Sequence, residues 1–187
     1  MRAFLVALVL LALIVMIALR LLRGRIPAES AGPTGKAEAA IRSRKISDIS
    51  GLSITLDVNE KPSLFILLAA DGTINRMGSG TGGDTGGELF IGRTSPGIFE
   101  AVRSQLSEAT MQRLGQGYEH PNPHGDLCKL TVSFQFKDGT SNGFGFFYGS
   151  ESEGVPEDVA TFVTVAARQT EPWYDDFKRN TARRGQR

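Results

Sequence analysis

The chain has 187 residues, 41% of them hydrophobic, and a formal net charge of +1. That balance hides a division: residues 48–177 carry eight Lys/Arg against eighteen Asp/Glu, a net of −10, while the other basic residues gather at the two ends. An acidic body argues against nucleic acid, whose phosphates need a basic surface. Cys128 is the only cysteine, so there is no intramolecular disulfide, and its position excludes a lipid-modified N-terminal cysteine.

Taken in order, Ala3 to Leu19 is a run of seventeen apolar residues between Arg2 and Arg20, extended by Leu21 and Leu22. About 20 residues at about 1.5 Å each match a bilayer's hydrocarbon core, which predicts a transmembrane anchor over 1–23. The small residues Ala28-Glu29-Ser30 stand too far beyond the run, behind Arg20, Arg23 and Arg25, for a good cleavage site. A retained anchor and a single-pass membrane location are therefore expected. The positive-inside rule leans the body toward the cytoplasm. Residues 24–47 are small, polar and charged, and read as a flexible linker.

The body, 48–177, opens with Leu52, Ile54, Leu56 and Val58 alternating with polar neighbours, the period of a half-buried strand. Lys61-Pro62 is expected to turn the chain into the apolar run Leu64 to Ala70. Asp71-Gly72 is a hairpin signal, returning through Thr73 to Met77. A glycine-rich stretch, Gly78 to Gly87, precedes Leu89 to Ile91. Ser95-Pro96 supplies an N-cap and a first-turn proline for one helix running to Gly115. Cys128, Leu130, Val132, Phe134 and Phe136 then alternate with polar residues, and Asp138-Gly139 turns that strand into Phe144 to Tyr148. Pro156 opens a second helix, expected to end at Glu171-Pro172. The basic residues 178–187 read as a solvated, disordered tail. The expected fold is thus α+β: a membrane helix, then an antiparallel sheet of about five strands with two helices on one face, in the order β-ββ-α-ββ-α.

This order resembles a group of uncharacterised bacterial envelope α+β domains: a strand, the Asp71-Gly72-Thr73 turn, a Ser95-Pro96-led helix, a further strand pair, and a Pro156-led helix closing on Trp173. The resemblance covers about Leu52 to Phe177 and implies an envelope location but no activity. Many members carry a cysteine pair between their first two strands, where Val58 to Ser63 has none. A weaker likeness to the energy-transducing ExbD/TolR proteins lies in Leu67 to Thr73 and Val155 to Val159. Those proteins depend on a membrane aspartate, which Ala3 to Leu19 lacks.

Three motifs bear on chemistry. Gly78-Ser-Gly-Thr-Gly-Gly83 fits the dinucleotide pattern but leads toward a strand, whereas that chemistry needs a helix N-terminus for the pyrophosphate. Ser141 in Gly139-Thr-Ser-Asn-Gly143 fits a nucleophile elbow but follows a hairpin tip. The segment Glu119 to Cys128 gathers both histidines with Asp126 and the thiol, and His120, His124 and Asp126 are candidate metal ligands, zinc being the metal such donors suit. Pro121 and Pro123 forbid a helix that would align them. No catalytic residue is assigned and no cofactor is required. The expected function is a non-enzymatic, membrane-tethered binding or assembly module with an envelope protein as partner. The alternative is a metal-binding protein or metal-dependent enzyme using His120, His124 and Asp126.

Overall fold

The computed structural model describes residues 44–80 and 87–184, with 182–184 as backbone only. The chain enters through Arg44, whose guanidinium pairs with Asp138 at 2.5 Å and donates to the Thr140 hydroxyl. After a short 3-10 turn, Ile46–Asp48, seven strands follow: β1 Ile49–Val58, β2 Lys61–Ala69, β3 Thr73–Met77, β4 Phe90–Arg93, β5 Gly117–Glu119, β6 Leu127–Phe136 and β7 Ser141–Gly149. Helices α1 (Pro96–Arg103) and α2 (Glu108–Met111) lie between β4 and β5, and α3 (Glu157–Arg184) follows β7.

The sheet order is β4-β3-β2-β1-β6-β7-β5, antiparallel except where β5 runs parallel to β7. The alternating residues build the core because a strand sends every second side chain to the same face. Leu52, Ile54 and Leu56 pair with Leu68, Ile66 and Leu64 on one side and with Phe134, Val132 and Leu130 on the other. Phe99 and Val102 of α1 and Val159, Phe162 and Ala166 of α3 pack onto this row, all at 1% exposure or less. Burying a side chain of this size stabilises the fold by about 1.5–3 kcal/mol. Helix α2 is tied to α3 by polar contacts. The buried Thr110 hydroxyl donates to Asp158 at 2.8 Å, and Arg113 pairs with the same carboxylate at 3.3 Å.

Several expectations are corrected. The sheet has seven strands rather than five, it is mixed rather than antiparallel, and three helices replace two. The helix expected from Ser95 to Gly115 is two, because Ser107 starts a new one by accepting the Thr110 amide at 3.0 Å. The first turn is Asn59-Glu60, both with positive φ (49° and 63°), while Lys61 and Pro62 belong to β2. Strand β5 has no apolar alternation and forms because β7 offers it an edge: the Gly115 amide donates to Gly143 and the His120 amide to Phe147. Helix α3 does not stop at Pro172. It continues to Arg184, since Trp173, Tyr174 and Phe177 pack on β4 and outweigh the lost hydrogen bond at proline.

The expected membrane helix and the single-pass location resting on it are also corrected. Among the described residues no helix is long and apolar enough to cross a membrane. The run Ala3 to Leu19, its orientation and nearly all of the linker lie outside the described residues.

Candidate functional site

The loop holding His120, His124 and Asp126 joins β5 to β6 and is built for structure. The His120 ring accepts the Asn122 amide on Nδ1 at 3.2 Å, closing a local turn. The backbone of His124 is clamped against the segment after β7: its amide donates to Ser152 Oγ at 2.7 Å and its carbonyl accepts the Glu151 amide. Gly149 permits that approach, since a Cβ there would stand 2.0 Å from the His124 carbonyl oxygen.

Asp126 spends its carboxylate on the β1–β2 turn, where Asn59 Nδ2 donates to it at 2.8 Å. The same Asn59 amide side chain accepts the Leu127 amide through Oδ1, and the backbone amide of Asn59 donates to the Leu127 carbonyl. Cys128 is buried on the core side of β6. Burial pushes its thiol pKa up, and the Asp126 charge adds to the shift. A thiol held protonated is a poor nucleophile and a poor metal ligand. Among the described residues, no cluster of three or more His, Cys, Asp or Glu is placed to hold a metal ion, so the three sequence candidates do not converge. Ser141 begins β7 without a helix after it, and Gly78 and Gly80 lie after β3 on the way to β4.

The structure offers a different site. A groove of about 720 Å³ runs between α3 and the β1–β2 end of the sheet. One wall is a stripe of α3 from Val163 through Ala167, Arg168 and Glu171 to Asp175, Asp176 and Arg179. At about 1.5 Å per residue that stripe is about 24 Å long. Facing it are Leu56, Leu64, Ser79 and Gly80. Small residues on both sides, Ala167 against Ser79 and Gly80, leave the space open.

The Ser79–Gly80 wall is held in place by close backbone packing. Gly78, at φ +66°, has no room for a Cβ, which would lie 2.0 Å from the Ser63 carbonyl oxygen. Its amide donates to the Tyr174 hydroxyl at 3.1 Å, and the Gly80 amide donates to Ser63. The opposite wall is fixed by the wholly buried Arg76, which meets Glu171 Oε2 at 3.1 Å with its guanidinium 5.3 Å from the Tyr174 ring.

The groove has two ends of different chemistry. Leu56, Leu64, Val163 and Ala167 form an apolar end. Glu171, Asp175, Asp176 and Arg179 form a charged one. Lys178 donates to Asp175 at 2.8 Å and holds that carboxyl below its usual pKa; Arg179 pairs with Asp176. Arg168 is exposed and has no ion pair among the described residues. The alternating spacing of α3 marks Val163 as a core position in the sequence, and nothing there signals that it edges a groove.

Comparisons with protein-family models, with curated proteins and with solved structures found no match.

Proposed function

We propose that this domain is a non-enzymatic binding module whose ligand lies in the groove along α3. The groove's volume carries the reading: about 720 Å³ falls within the range of sites that enclose small ligands or a few side chains of a partner. Its two-ended lining favours an amphipathic ligand. The apolar portion rests on Leu56, Leu64, Val163 and Ala167, and the polar portion reaches Arg168 and the carboxylates beyond it. The hydroxyls that line it, Ser79 and Thr164, have neither histidine beside them in the lining, which favours binding over acyl-transfer chemistry.

The test is a titration of the full chain with the amphipathic dye anilinonaphthalene sulfonate, followed by fluorescence. One saturable site is expected, weakened about tenfold by Ala167→Phe, which fills the apolar end, and less by Arg168→Glu. Dye binding that Ala167→Phe leaves unchanged, or no binding at all, overturns the proposal.

A further inference from the structure

We infer that two copies of this chain associate face to face through the side of the sheet that carries no helix. The core row faces α1 and α3, so the alternate residues face the other way, and no described helix covers them. On that side Phe65, Leu67, Met77 and Phe147 are half-buried, and Ile91 is 53% exposed.

Charge selects this face. One row across the sheet runs Ile91, Asn75, Leu67, Ser53, Ser133, Gly143. The next runs Met77, Phe65, Thr55, Thr131, Gly145. Neither holds a charged residue, in a body of net charge −10. Two such bodies repel through the rest of their surfaces, and here they meet without desolvating an ion. The sheet is also large enough. Its strands, at about 3.3 Å along and about 4.8 Å across per residue, give a face on the order of 800 Å², one partner's share of a standard interface.

Shape identifies the occupant as a second copy. The bulky side chains lie on the β2–β4 half, while Gly143, Gly145 and Ser133 leave the β6–β7 half low. Strand β1 is the middle strand of the seven. A two-fold axis along β1, between stacked sheets, reverses the strand order of one copy over the other. The bulky half of each then sits on the low half of its partner, and Ser53 and Thr55 meet their own counterparts near the axis.

The experiment is sedimentation equilibrium on the full chain with two variants. Leu67→Glu charges the raised half. Gly145→Glu fills the low half, where a Cβ makes only an ordinary contact of 3.5 Å with the Leu130 carbonyl oxygen, so the monomer accommodates it. A dimer in the native chain is expected, with each variant raising the dissociation constant about tenfold or more while circular dichroism is unchanged. If Leu67→Glu impairs folding, Gly145→Glu alone carries the result. A native chain that stays monomeric, or an association that Gly145→Glu leaves untouched, overturns the inference.

Discussion

Arg76 and Glu171, ninety-five positions apart, form the one ion pair of the domain in which a side chain is wholly buried, among the described residues. The guanidinium sits in the core row of β3, where its pairing partner on β2 is Ile66. A buried charge is tolerated only when paired, so this contact helps dock the second half of α3 on the sheet and shapes one wall of the groove. Glu171→Gln is expected to destabilise the domain by about 1–2 kcal/mol, below the range for a fully buried pair because Glu171 is 40% exposed. Urea unfolding measures the loss. A double-mutant cycle with Arg76→Met should show that the two substitutions together cost less than their sum.

Trp173 reports on the same docking. Its indole Nε1 donates to the Arg93 carbonyl at 3.0 Å, and a Cβ on Gly92 would lie 2.8 Å from its Cζ2. Gly92→Val therefore pushes the indole off β4, at about 1–3 kcal/mol. Trp173 is the only tryptophan, so its fluorescence reads the change directly. A red-shifted emission is expected, and an unshifted spectrum would contradict the packing.

The Asn59-Glu60 turn holds two side chains in left-handed backbone. Glu60 makes no compensating contact there among the described residues, and Glu60→Gly should raise stability by about 1 kcal/mol by relieving the strain. Asn59→Ala removes the hydrogen bonds to Asp126 and Leu127 and should lower stability by about 1–2 kcal/mol. Thermal unfolding of both variants shows whether the signs are opposite.

Asp138 links Arg44 to the β6–β7 turn. Its side-chain bond to Thr140, then Arg44, lower its pKa to about 2 from a usual value of 3.8. A carboxyl depressed in the folded state stabilises it fully above 3.8, and that stability is lost as pH falls through about 2. The acid limb of a stability–pH profile should accordingly be shallower in Asp138→Asn than in the native chain. An NMR titration of the Asp138 carboxyl with a midpoint near 3.8 would contradict the geometry.

Much of the body was legible because its signals are local. The period-two patterns of β1 and β6 and the two Asp-Gly turns mark themselves within a few residues. So does the Ser95-Pro96 start of α1, where the Ser95 hydroxyl accepts the Gly97 amide. The candidate site was not legible in this way. His120, His124 and Asp126 are near one another in sequence, but Asn59, Ser150 and Ser152 draw their loop into structural hydrogen bonds. Sequence proximity of good ligands does not set the direction of their side chains.

By itself the sequence determined the acidic character of the body, its α+β content and which residues alternate into the core, all properties of composition and short-range period. Only the tertiary structure decided the recruitment of β5 to an edge of β7, the passage of α3 through Pro172, and the groove between α3 and the sheet. Each depends on partners distant in the chain: Gly143 for Gly115, Phe90 for Tyr174 and Phe177, Arg76 for Glu171. Non-local contacts of this kind override local propensity because the area and charge they bury exceed the fraction of a kilocalorie per residue that propensity supplies.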